Sequence, residues 1–191
     1  MTVDELKELI RQEVQKVAKN PTDAQKEAGN YRKGHISVNG YDITIENPKG
    51  SYRKWKDCNG KTGKQKMHSD YGYFNRTVGK DGDAIDVFVG NSYNSKRIFV
   101  IDQKINGKFD ESKVMFCFKD KDSAVEGYLR NYSDDWKGFW KVTEVSEKLF
   151  REWLYDGFKQ RKPFHQYIKI KKNQLIEESI KRCLKEIINE R

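Results

Sequence analysis

This sequence predicts an α+β fold, on three observations. Apolar residues near the N-terminus recur at helical spacing, the period changes to alternation around turn residues from His35 onward, and helical spacing returns after Ser123. Strands gathered in one block with helices outside it make a mainly antiparallel sheet, whose edges a small barrel would close.

In chain order, Val3, Leu6, Ile10, Val14 and Val17 step by three or four and predict a helix within residues 1–20. Asn20-Pro21 ends it, because proline disfavours helical geometry in the residue before it. Residues 21–35, with Gly29 and Gly34, read as a linker or loop. Ile36 and Val38, then Tyr41, Ile43 and Ile45, alternate around Asn39-Gly40, a strong hairpin signal. Short apolar runs at 87–89, 98–101 and 114–118 read as strands, with Asn106-Gly107 turning between the last two. Residues 123–132 and 146–155 have helical spacing. Leu175, Ile176, Ile180, Leu184, Ile187 and Ile188 do too, with Lys181, Arg182 and Lys185 between them.

The 191 residues suit one domain with terminal appendages: an amphipathic helix at 1–20, a central domain at 21–158 and a basic helical extension at 159–191. Apolar residues make up 36% and charged residues 35%, so the core is modest, while four Trp, ten Tyr and ten Phe exclude a disordered polyelectrolyte. No stretch approaches the ~18–20 apolar residues of a membrane span, and the N-terminus has no signal-peptide apolar core. Cys58, Cys117 and Cys183 are odd in number and far apart, which argues against a disulfide framework. The expectation is a reduced, cytoplasmic protein with no membrane partner.

The net charge is +9, and residues 159–191 hold ten Lys/Arg against four Asp/Glu, so the tail carries most of the surplus. Such a tail either seeks nucleic acid or another polyanion, or is the solvated face of a helix.

The most informative segment is Asp81-Gly82-Asp83-Ala84-Ile85-Asp86-Val87. Three carboxylates in six residues repel one another unless cations lie between them, and hard oxygen ligands at that density suit Mg²⁺ or Mn²⁺. A helix-loop-helix calcium site would need an oxygen ligand where Ile85 stands, so that reading fails. Tyr71-Gly72-Tyr73 lies ten residues upstream of Asp81, Asp110-Glu111-Ser112-Lys113 sets two acids beside an ammonium, and Glu46 ends an apolar strand shortly before Lys49 and Arg53. Acids that hold metals, with Lys, Arg and Tyr to meet anions, describe a metal-assisted phosphoryl-transfer site.

On these residues the chain resembles the soluble, metal-dependent family I inorganic pyrophosphatases, in particular the shortened forms found in phage and mobile-element proteins. The family signature D-G-D-P-[LIV]-D-V is matched at 81–87, with Ala84 in place of proline, and its Tyr-Gly-Tyr is matched at the same offset. The resemblance spans roughly residues 41–141. It implies a five-stranded, OB-like antiparallel barrel with surrounding helices, and Mg²⁺-dependent hydrolysis of pyrophosphate or a related phosphoanhydride, Mn²⁺ being an alternative ion. By residue, it implies Asp86 as a carboxylate bridging two metals, Asp83 as the base for the attacking water, and Asp81 and Glu111 as further metal ligands. It likewise implies Glu46 holding a metal or its water, Lys113 and Arg53 on phosphate, Tyr71 on the attacking side and Tyr132 on the leaving phosphate. The sequence adds Lys49 as a further candidate substrate cation and Asp110 as a further candidate metal acid. Arg53 lies two residues closer to Glu46 than the family's lysine. Ser133 stands where the family has lysine, leaving Lys137 or Arg130 to substitute, and Asn106 stands at another aspartate, for which Asp102 or Asp110 would serve; the arginine expected before Tyr-Gly-Tyr is absent, with Lys64, Lys66 or His68 as candidates for its place.

Other signals are weaker. Gly60-Lys61-Thr62 lacks the earlier glycine of a P-loop, Trp55 standing there, and His35, His68 and His165 show no metal spacing. Trp136, Phe139 and Trp140 either stack on a base or seal a core. Two other functions fit parts of the pattern: a metal-dependent nuclease built on Glu111-Ser112-Lys113 with Asp102 or Asp86, and a non-catalytic module that binds nucleic acid or a protein through its terminal helices. Those helices either pack on the barrel or pair in a homodimer.

Overall fold

The computed structural model describes residues 2–56, 60, 62–156 and 162–189. Among the described residues five helices, α1 Val3–Gln15, α2 Asp23–Glu27, α3 Lys121–Leu129, α4 Glu147–Leu154 and α5 Phe164–Asn189, surround nine strands. The strands are β1 Gly34–Val38, β2 Tyr41–Asn47, β3 Tyr52–Lys56, β4 Thr62–Lys66, β5 Asp70–Phe74, β6 Asp86–Val89, β7 Ile98–Ile105, β8 Lys108–Phe116 and β9 Phe139–Val145. Cys58 and Lys61 lie outside the described residues.

Local chemistry sets the ends of these elements. Thr2 accepts from the Glu5 N–H while Glu5 accepts from the Thr2 N–H, a reciprocal cap that starts α1 and satisfies two orphan donors. Both predicted hairpin turns form, with Asn39 and Gly40 at φ 52° and 79°, and Asn106 and Gly107 at 51° and 77°. Positive φ at both central residues is the requirement of a two-residue turn matched to strand twist.

Seven strands form one mixed sheet in the order β1-β2-β5-β6-β8-β7-β9, and β3–β4 is a separate two-stranded hairpin. The α+β class holds, whereas the five-stranded antiparallel barrel does not: β6 and β8 pair in parallel, and among the described residues β1 and β9 do not pair with each other. The chain passes from β6 to β7 and returns by the Asn106-Gly107 turn, so β8 slots between them running with β6. Helices cover the strands in place of barrel closure, α1 lying on β1 and α5 on β7 and β9.

Parallel pairing needs apolar cover on both faces, and the central strands have it. Val87, Val89, Ile98, Val100, Val114 and Phe116 face a core shared with Phe150 and Trp153 of α4 and Phe164 of α5. The intervening Phe88, Phe99, Ile101 and Met115 face a second core with Tyr71 and with Ala124 and Tyr128 of α3. Trp136 stacks on Tyr132 at 4.6 Å, and a Cβ on Gly138 would lie 2.0 Å from its ring. Trp136 is thus half-buried and packed against this core.

Only the first turns of α5 are buried, through Phe164, Tyr167 and Ile168, while Leu175, Ile176, Ile180, Leu184, Ile187 and Ile188 are exposed. Among the described residues no helix is long and apolar enough to cross a membrane. Asp102, fully buried on β7, fastens α5 to the sheet. It accepts from the Phe164 and His165 N–H groups at 2.7 and 3.0 Å, from the Ser112 hydroxyl at 2.6 Å and from His165 Nδ1 at 2.7 Å. Asp102→Ala strands these donors and is expected to cost about 2–3 kcal/mol, read as a lower urea midpoint with faster proteolysis near residue 163.

Candidate active site

β5 and β6 place the first functional pair. Their ladder sets Tyr73 opposite Asp86 and Gly72 opposite Val87, and the Tyr71 hydroxyl donates to Asp86 Oδ2 at 2.6 Å. Gly72 explains its place in Tyr-Gly-Tyr: a Cβ there would lie 1.8 Å from the Thr44 carbonyl oxygen of β2, so no side chain fits. The acidic loop is pinned below by buried Ile85, whose N–H donates to Thr77 Oγ1 at 2.9 Å. Above that anchor Asp81 and Asp83 are exposed, and the Asp83 N–H donates to Asp81 Oδ1 at 3.1 Å.

β8 adds Glu111 and Lys113. Lys113, only 2% exposed, pairs with Asp86, lies 2.8 Å from Glu111 Oε2 and donates to the Tyr71 hydroxyl at 3.4 Å. Burial alone would lower the Lys113 pKa, but Asp86, Tyr71 and Glu111 outweigh it and hold the ammonium well above its ordinary value. Burial pushes the Glu111 carboxyl up, with Lys113 opposing. Burial likewise raises the Tyr71 phenol, so it stays a hydrogen-bond donor. The Arg53 guanidinium reaches in from the β3–β4 hairpin and lies 4.6 Å over the Tyr71 ring.

These groups share one cleft of about 690 Å³, lined by Glu46, Asp81, Asp83, Asp86, Glu111, Arg53, Lys113 and Tyr71 among others. Lys49, Asp110 and Tyr132 do not line it. Lys49 is exposed in a separate hollow, where its N–H donates to Asp70. Asp110 lies where the β7–β8 ladder is irregular, Asp102 opposing Ser112 but Lys104 opposing Phe109. Tyr132 stands behind the cluster, accepting from Gln103 Nε2 at 2.7 Å, its phenol raised to about 12 by burial. The proposed substitutes fare no better. Asp102 is committed to α5, Lys64, Lys66 and His68 do not line the cleft, and Arg130 and Lys137 are exposed outside it.

The structure adds residues from the stretch read as a linker. Pro21, Lys26 and Tyr31 line the cleft, and Glu46 is held by the Tyr31 hydroxyl at 2.8 Å and by Lys33 Nζ at 2.7 Å. Lys33 in turn lies 4.9 and 5.2 Å over the Tyr31 and Tyr73 rings. A signal for Lys33 was present. The Asn39-Gly40 turn fixes a register in which Gly34 opposes Ile45, which brings the preceding Lys33 beside Glu46.

By donor chemistry the cleft fits a hard divalent cation, since five carboxylates line it. Among the described residues no three acids, histidines or cysteines converge on one point. Asp86 and Glu111 are instead joined through the Lys113 ammonium.

Carboxylates lie beside a buried ammonium, a guanidinium and a phenol in one cleft, a set that can meet a cation and an anion together. The family model for inorganic pyrophosphatase matches residues 23–155, and the chain belongs to the inorganic pyrophosphatase family. The match begins beyond α1 and ends before α5. No curated protein matches the chain.

Proposed function

We propose that the protein hydrolyses inorganic pyrophosphate, or a closely related phosphoanhydride, with Mg²⁺ or Mn²⁺. The observation that carries this reading is the Tyr71–Asp86–Lys113–Glu111 cluster, which lines one cleft together with Asp81 and Asp83. Asp86, Glu111 and Asp81, with Glu46 at the far wall, would hold the metal, which when bound would activate water and neutralise phosphate oxygens. Asp83 takes the proton of the attacking water, and its exposure on the rim leaves it free to pass that proton to solvent. Arg53 and Lys113 hold the phosphate oxygens as charge develops on the leaving group, and the Tyr71 phenol orients the substrate on the attacking side. Residues 1–20 and 159–191 are, on this reading, appendages to a catalytic domain at 21–158.

Phosphate release from pyrophosphate tests it. Release is expected with Mg²⁺ or Mn²⁺ and lost on adding EDTA. Absence of release with either metal, or release indifferent to the chelator, overturns the reading. Plasmid and single-stranded DNA are expected to stay intact under the same conditions.

A further inference from the structure

The C-terminal segment is not the only concentration of positive charge. Residues 52–66, the β3–β4 hairpin, hold six Lys/Arg against one Asp, a surplus of five in fifteen positions against six over the 33 positions of 159–191. The ladder sets Lys54 directly opposite Lys64, with Tyr52 opposite Lys66 in the next pair on that face. Tyr52, Lys54, Lys64 and Lys66 are all exposed. Like charges facing each other across a ladder are destabilising. Among the described residues no carboxylate lies within ion-pair distance of these three lysines. Lys64 instead lies 5.1 Å over the Tyr52 ring.

This ribbon stands apart from the seven-stranded sheet and runs into the cleft. Its base is held by the Gly50 N–H on the Met67 carbonyl at 2.7 Å and the Met67 N–H on the Ser51 carbonyl at 2.9 Å. Arg53 and Lys54, successive residues of β3, both line the cleft. A ligand that neutralises the opposed lysines and also reaches the cleft is an extended polyanion. The aromatic side chains disfavour a single-stranded nucleic acid, which needs ring faces for its bases. On the lysine face the Tyr52 ring carries Lys64. Trp55, though exposed, belongs to the opposite face and does not stand beside the opposed lysines.

We propose that the exposed face of the β3–β4 hairpin binds linear inorganic polyphosphate and delivers the chain end to the cleft. The delivery rests on the phosphoanhydride-hydrolase reading, whereas the binding does not. At the chain end a water oxygen bonds to the terminal phosphorus, and the bond from that phosphorus to the bridging oxygen breaks. Its electron pair stays on the shortened chain, the water's proton passes to solvent, and one orthophosphate leaves.

The test compares the wild type with Lys64→Glu/Lys66→Glu, and with Lys64→Gln/Lys66→Gln should the first fail to fold. Binding is measured in EDTA with linear polyphosphate, and kinetics in Mg²⁺ with polyphosphate and with pyrophosphate. The wild type is expected to bind polyphosphate, with affinity falling steeply as salt rises. The charge-reversed variant is expected to lose on the order of tenfold in affinity and to raise the polyphosphate KM as much, with pyrophosphate kinetics unchanged. No binding by the wild type, equal binding by the variants, or tighter binding of a single-stranded oligonucleotide of equal charge overturns the proposal. Polyphosphate binding that the variants lose, without pyrophosphate hydrolysis, supports the ribbon and sinks the reading of the cleft.

Discussion

Asp86→Asn is expected to lower pyrophosphate hydrolysis by 10²-fold or more while leaving the protein folded. Asparagine keeps the volume and one acceptor for the Tyr71 hydroxyl, so the 2.6 Å contact between β5 and β6 survives. What disappears is the negative charge at the point where Tyr71, Lys113 and the proposed metal meet. A loss of that size corresponds to about 3 kcal/mol on the barrier, the scale expected when a catalytic water loses its placement. The measurement is kcat with saturating Mg²⁺ beside a urea unfolding curve. A variant with wild-type kcat would remove Asp86 from the mechanism.

Lys113→Met is expected to damage both activity and stability. Methionine fits the buried channel but leaves Asp86 and Glu111 facing each other without the ammonium between them. Removing one partner of a buried ion pair costs about 3–5 kcal/mol, and losing the phosphate cation should lower kcat/KM on the order of 10²-fold. The pH dependence has a definite sign. Burial already raises the Glu111 carboxyl above the ordinary value of 4.5, and Lys113 opposes that shift, so the substitution raises it further. Between 4.5 and the raised value the folded state then binds more protons than the unfolded chain, and stability falls as pH rises through that window. The deficit of Lys113→Met against wild type is therefore larger at pH 8 than at pH 5 in urea titrations. A deficit independent of pH would show that Glu111 does not feel the ammonium.

Much of this was legible in the sequence where one period dominates. The α1 stripe, the Asn39-Gly40 and Asn106-Gly107 turns, and the runs that became β6, β7 and β8 each follow a local rule. The β3–β4 hairpin was not legible, because its strands are lysine-rich and carry no apolar alternation; the ladder alone defines them. Nor was the parallel β6–β8 pairing, which joins Val87 to Val114 and leaves no trace in either segment. At the site, the spacing of Tyr71, Asp81, Asp83 and Asp86 and the neighbouring Glu111 and Lys113 led to residues that do share a cleft. Lys49 lies in a separate hollow, Asp110 at the irregular stretch of the β7–β8 ladder and Tyr132 behind the cluster, positions that strand pairing and packing decide and that spacing along the chain does not carry.

The clasp at Asp102 ties α5 to the strand that carries the proposed catalytic cluster. Ser112, whose hydroxyl meets Asp102, sits in sequence between Glu111 and Lys113, so the first turn of α5 braces the strand that presents both. Trimming the polypeptide ahead of Pro163 would take three of four hydrogen-bond donors from a buried side chain and slacken that strand. Catalytic competence would then decline with no cleft residue altered, a cost to weigh before treating the tail as a dispensable tag.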